Sequence, residues 1–174
     1  MRTPRTSVCL RFAAAISSLA ALIAFGYSQS MFESDMVIVE DLGHAVVSPV
    51  TGAAEYTFVW SLIIASIELS LPVPIHPAIY LTFDLFAWAA LVITLIIYLM
   101  LMEPYYTGDG YSCGINGGPN CDGKLVANVE HFGTAMAFIA VVIHFGFFVW
   151  ACRATHKTRK SDSKDQDIDL DRTV

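Results

Sequence analysis

Asp84 stands early in one of the most apolar runs of the chain, "IYLTFDLFAWAALVITLIIYLM", which begins at Ile79. A carboxyl group in hydrocarbon costs roughly 2.5–3.5 kcal/mol on insertion scales, so such a residue faces a bundle interior and needs a partner there. Arg11, Glu68 and His144 lie inside or at the edge of other apolar runs. Such a set can tie helices together as an ion pair, or pass protons along an Asp/Glu/His relay; long side chains near a helix end can also snorkel outwards without meeting.

Hydrolytic and phosphate chemistry find no support in the motifs. His131 follows Glu130, but no second histidine stands at the spacing of an HExxH zinc site. Nor does "CGINGGPNC" carry the Lys-Ser/Thr that would follow a phosphate-binding loop. The chain is therefore expected to be non-enzymatic, with no cofactor and no metal centre.

Membrane helices are the elements that must position these groups. Of 174 residues, 55% are hydrophobic and only 15% charged, and the mean hydropathy is +0.56; these values point to an integral membrane protein. The net charge of −6 falls mostly in loops and tail, and no basic aromatic surface suggests nucleic-acid binding. Four runs have spanning length, Ser7–Tyr27, Ala54–Leu71, Ala78–Met102 and Val129–Cys152, so an all-α four-helix transmembrane bundle is expected. Residues 28–53 and 103–128 form the outer loops, residues 1–6 a short cytosolic start, and 153–174 a cytosolic tail. Pro72, Pro74 and Pro77 turn the second span straight back into the third.

Arg2, Arg5 and Arg11 open the first span, and Arg153, Lys157, Arg159, Lys160 and Lys164 follow the last; between them only Lys124 is basic. By the positive-inside rule both termini are cytosolic. Trp150, Tyr105, Tyr106 and Tyr111 suit interfacial belts. The opening stretch also has the form of a signal segment with a small-residue site at Ala24-Phe25-Gly26, and cleavage there would leave three spans.

At helical spacing each span shows one polar or small-residue edge. These are Thr57, Ser61 and Glu68 in the second; Asp84, Ala87, Leu91, Thr94 and Tyr98 in the third; Glu130, Thr134, Ala137, Val141 and His144 in the fourth. The first span offers Ala13, Ser17 and Ala21. Such edges should face one another, because lipid supplies no hydrophobic drive for helix association. Asp84 lies about 10 Å inside the third helix from its cytosolic end, at the depth of Arg11, so Arg11 is its expected partner. Glu68 and His144 are the polar neighbours.

The cysteines sort by side. Cys113 and Cys121 share the outer loop "GDGYSCGINGGPNCDGK", where an oxidising environment favours a disulfide over two free thiols. Closing so short a loop contributes about 2–3 kcal/mol in the chain-entropy picture. Cys9 and Cys152 sit near the cytosolic ends of the first and last spans, placed either for palmitoylation or for packing as small residues. In the first outer loop "MVIVED" and "HAVVSPV" read as short strands or as hydrated loop. The tail turns from basic to acidic; it reads as disordered, or as a basic segment attracted to anionic lipid.

These features together resemble the MARVEL-type tetraspans, among them small fungal membrane proteins with a MARVEL domain and the related plant Casparian strip membrane domain proteins. The resemblance rests on Arg11 in "CLRFAAAISSLAAL", Asp84 in "IYLTFDLFAWAAL", the two-cysteine outer loop before the fourth span and the cytosolic termini, and covers about Thr6 to Thr155. It implies a role in membrane apposition, subdomain organisation or vesicle cargo sorting. Lateral association with lipids, with copies of the chain and with other membrane proteins would carry that role, at the plasma membrane or in the secretory pathway.

Overall fold

The computed structural model describes residues 4–34, 36–38, 43–70, 77–102, 111–114 and 122–172. Four helices account for nearly all of them: α1 Pro4–Glu33, α2 Gly43–Ser70, α3 Pro77–Met102 and α4 Gly123–Arg172. All four are long and apolar enough to cross a membrane, which makes the chain a multi-pass membrane protein. They pack as a ring in chain order, so α1 faces α3 and α2 faces α4 across the bundle axis. Both chain termini leave from one end, called the lower end below, and the loops α1–α2 and α3–α4 close the upper end.

Local chemistry explains the helix ends. Pro4 and Pro77 open α1 and α3, where proline's missing N–H would have had no intrahelical partner anyway. Asp122 caps α4, its Oδ1 accepting from the backbone N–H groups of Lys124 at 3.0 Å and Leu125 at 3.2 Å.

Several boundaries differ from the sequence expectation, all in the same direction. α1 runs on to Glu33 and α2 begins at Gly43, so the first upper loop is far shorter than 28–53. "HAVVSPV", read as a short strand or hydrated loop, is helical: Pro49 sits in the second turn of α2, where a missing N–H removes only one backbone bond. Val37–Ile38 does form a strand, β1, paired antiparallel with β2 at Ser112–Cys113. This clips the two upper loops together, and Gly114 N–H adds a 3.0 Å bond to the Met36 carbonyl. α4 starts six residues before Val129, and its backbone remains helical through Arg172, where a disordered tail was expected. The proline-rich turn 71–76 and Tyr105 and Tyr106 lie outside the described residues.

The interior has a seven-residue period. The most regular buried stripe in α1 runs through Arg11, Ala14, Ser18, Ala21, Phe25, Ser28 and Phe32, flanked by buried Ala15, Ser17 and Ala24; in α4 it runs through Val126, Glu130, Gly133, Ala137, Ala140, His144, Phe147 and Ala151, flanked by Ala127 and Thr134. Alternating steps of three and four are the 3.5-residue repeat of left-handed supercoiled bundles. The expected α1 edge shifts accordingly: Ser17 and Ala21 are buried, but Ala13 is exposed and Ala14 takes the core position. The outward face is just as apolar, with Ile16, Ile23, Met100 and Val142 exposed, as a lipid-facing surface requires.

Three layers, a heptad apart, stack along the axis, each with one residue per helix. The lower layer is Ala14, Ser61, Asp84 and His144; the middle is Ala21, Ala54, Leu91 and Ala137; the upper is Ser28, Val47, Tyr98 and Glu130. No residue among them is more than 1% exposed. Two polar layers are thus separated by an apolar one, with about 21 Å of helix between the lower and upper.

Close packing of α1 on α4 depends on Gly133. A Cβ added there would lie 2.9 Å from Ala24 Cβ and 3.3 Å from the Phe25 ring. Gly133→Ala is expected to push these helices apart and lower stability by about 1–3 kcal/mol, read as a lower Tm in detergent. Gly52→Ala, with nothing within 4 Å, should leave Tm unchanged or raise it.

Candidate functional site

The lower polar layer is built across both diagonals of the ring. Arg11 of α1 reaches the facing helix α3 and donates from Nη1 to Asp84 Oδ1 at 2.5 Å and from Nη2 to Oδ2 at 2.6 Å. This bidentate pair is almost fully buried, at 1% and 0% exposure. Only a long side chain with a planar fork spans the axis and meets both carboxylate oxygens. The guanidinium lies over the Phe147 ring at 3.7 Å and near Tyr80 at 5.6 Å, so its faces meet π-electrons instead of hydrocarbon.

The other two helices complete the coordination of Asp84. Trp60 of α2 donates its indole N–H to Oδ1 at 3.0 Å. His144 of α4 brings Nδ1 to 3.3 Å from the same oxygen, and its Nε2 lies 3.4 Å from Ser61 Oγ. One carboxylate therefore gathers donors from α1, α2 and α4, and so fixes the order and axial register of all four helices.

The succession Ser61–His144–Asp84 has the atom order of a nucleophilic triad, with hydroxyl at Nε2 and carboxylate at Nδ1. Its chemistry is restrained by two facts. Ser61 and His144 are 0% exposed, and the carboxylate that would support the imidazole is already engaged by Arg11 on both oxygens. No group of three His, Cys, Asp or Glu side chains placed to hold a metal occurs among the described residues.

The upper polar layer centres on Glu130, which is 1% exposed. Its Oε2 accepts from Tyr98 of α3 at 2.8 Å and from Tyr111, which reaches down from beside β2. Tyr111 can pass the start of α4 because residue 123 is glycine: a Cβ there would meet its backbone carbonyl oxygen at 2.7 Å. Phe25 packs edge-on against Tyr98 at 5.3 Å, and Phe32 lies beside Tyr111 at 6.4 Å.

Of the residues singled out in the sequence, the structure brings Arg11, Asp84 and His144 together. Glu68 stands apart: its Oε1 accepts from Ser7 at 3.4 Å and Tyr80 at 3.3 Å, and it approaches the cluster only through the Tyr80 ring. Cys9 and Cys152 are exposed free thiols near the lower end, and Cys113 is not a free thiol. Cys121, its expected partner, lies outside the described residues, and so does that pairing. Tyr111, read as an interfacial aromatic, instead turns inward onto Glu130.

Trp60, Phe147 and the Glu130 layer were not anticipated as site residues. Aromatic residues are too common in spanning helices for Trp60 or Phe147 to stand out. A signal for the upper layer did exist, since Tyr98 follows Asp84 by fourteen residues and Glu130 precedes His144 by fourteen. In antiparallel helices that equal spacing pairs the four residues into two layers.

No protein-family model, curated protein or solved structure matches this chain.

Proposed function

We propose that this chain is a MARVEL-like tetraspan that organises membrane subdomains or sorts vesicle cargo by lateral packing, with no catalytic step. The observation that carries this reading is the closure of the lower layer. Asp84 finds all its partners within the bundle, and none of Arg11, Trp60 and His144 is more than 8% exposed. With the lower-layer carboxylate engaged inwards, the surfaces left for this role are the apolar helix faces, the upper loops and the lower tail. The charge pair then serves helix order and register, the best-attested use of a buried ion pair.

In this reading both termini are cytosolic, and the protein resides in the plasma membrane or in secretory-pathway membranes. A Cys113–Cys121 disulfide staples the upper loop on the outer side, supported by the strand pairing that holds Cys113 beside Val37. Cys9 and Cys152, free and exposed near the cytosolic ends, are acceptors for palmitoyl chains. The partners are membrane lipids, further copies of the chain and other membrane proteins.

A proton-coupled transporter or channel using Asp84, Glu68 and His144 is the second reading, favoured by the contacts among Ser61, His144 and Asp84. The middle layer opposes it: Ala21, Ala54, Leu91 and Ala137 put no polar side chain at that level, and the buried hydroxyls of Ser17 and Thr57 beside it are bonded to carbonyls of their own helices. Reconstitution into vesicles separates the two. Lateral self-association, seen as energy transfer between labelled copies at high lipid dilution, without proton flux is the expected result. Flux that disappears in Asp84→Asn would overturn the organising role.

A further inference from the structure

The two polar layers have the same plan with one difference. In the lower, the carboxylate meets a guanidinium from α1; in the upper, α1 contributes Ser28, and Glu130 makes no ion pair among the described residues. Tyrosine hydroxyls donate to Glu130 Oε2, but they bring no charge. Lys124 is exposed and stands on another face of α4, and the exposed His131 acts on the Glu130 carboxylate through its charge but forms no ion pair with it. A carboxylate so placed lacks the neutralising partner that low-dielectric burial demands.

Unsatisfied oxygens mark where that partner belongs. Glu130 Oε1, Ser28 Oγ and Thr134 Oγ1 are all buried and close no hydrogen bond. Ser28 is 0% exposed and near enough to Glu130 to act on its carboxylate, and Thr134 lies one turn along the same face of α4. Unpartnered groups of this kind are rare in native interiors and call for a ligand.

We propose that the upper layer binds a monovalent metal cation, of the sodium or potassium class, between Glu130 Oε1 and Ser28 Oγ. The donor set consists of oxygens alone, which suits a hard cation and not a transition metal. One carboxylate with neutral hydroxyls balances a single positive charge; a divalent ion would leave a net charge in hydrocarbon. The ion would stand to Glu130 as Arg11 stands to Asp84. It would also strengthen the hold of the layer on Tyr111, and through it on the paired loops above.

The test uses the full chain purified in detergent, unfolded by heat in sodium, potassium or choline chloride at equal ionic strength, which keeps general screening constant. The expected result is a saturable rise in Tm with sodium or potassium over choline, of about 5–10 °C when the ion stands 100-fold above its dissociation constant. Glu130→Gln, which keeps an oxygen for Tyr98 and Tyr111, should abolish the difference. Ser28→Ala is a small change in a packed position, so it keeps the comparison open if Glu130→Gln does not fold; it should raise the cation concentration needed. Identical Tm values in the three salts overturn the proposal, as does an undiminished cation response in either variant. So does a Tm that follows pH but not the cation, since a proton would then neutralise the layer.

Discussion

Arg11→Met is expected to lower the stability of the purified bundle by about 3–5 kcal/mol. Methionine replaces the aliphatic stem but leaves Asp84, 0% exposed, with only the Trp60 indole and His144 as partners. Breaking a buried pair from one side is far more damaging than removing both charges, because it strands an uncompensated ion. Arg11→Met combined with Asp84→Leu should therefore recover much of the loss. Arg11→Lys should fall between wild type and Arg11→Met, since an ammonium cannot bond both carboxylate oxygens in the fork geometry. Simple exchange of the two charges should rescue incompletely, because Trp60 and His144 would then present N–H donors to a guanidinium at position 84. Thermal unfolding in detergent measures all five proteins. A loss below 1 kcal/mol for Arg11→Met would mean that Asp84 is not held as a charge by Arg11.

Leu91→Ala is expected to cost about 2–5 kcal/mol, toward the upper part of that range. Large-to-small core changes are most damaging where the surroundings cannot collapse. Leu91 is the bulky residue of a buried cluster with Ala53 and Ala140, and those two methyl groups have no freedom to fill the space it would leave. The hole would be apolar on all sides and stay dry. Leu91→Met preserves volume and should cost less than about 1.5 kcal/mol. Unfolding of both variants, side by side, measures whether the middle layer is packed by this one side chain. Equal Tm values for the alanine and methionine variants would show that it is not.

How far the sequence alone could lead is clear from particular residues. Asp84 and Arg11 were legible because a charge in hydrocarbon demands a partner and helix rise places them at one depth. The four spans followed from length and hydropathy. Which face of each helix turns inward was harder to read, because lipid-facing residues such as Ile16 and Val142 are as apolar as the core and leave little contrast along the helix. Ala13 was preferred to Ala14 for that reason: a four-residue spacing matches a straight helix, whereas the supercoiled bundle follows 3.5. Strand-like β-branched residues in "HAVVSPV" gave no hint that backbone bonding in a membrane favours continuing the helix. Tyr111 was misread because an aromatic near a span end has two equally good uses, at the interface or as an inward hydrogen-bond donor. Only the position of Glu130 decides between them.

The Arg11–Asp84 pair joins residues 73 apart in sequence, which gives its two halves different birth times. At the usual synthesis rate of about 5–20 residues per second, the first helix waits roughly 4–15 s before the aspartate that neutralises its arginine has been made. During that interval Arg11 can reach for the nearer membrane surface, holding α1 in place at the lipid boundary. Arrival of α3 then draws the guanidinium inwards and locks the helix into the ring. A chain halted before Ile79 would keep its arginine unclaimed, a visible mark of incomplete assembly for any quality-control system that inspects nascent membrane proteins.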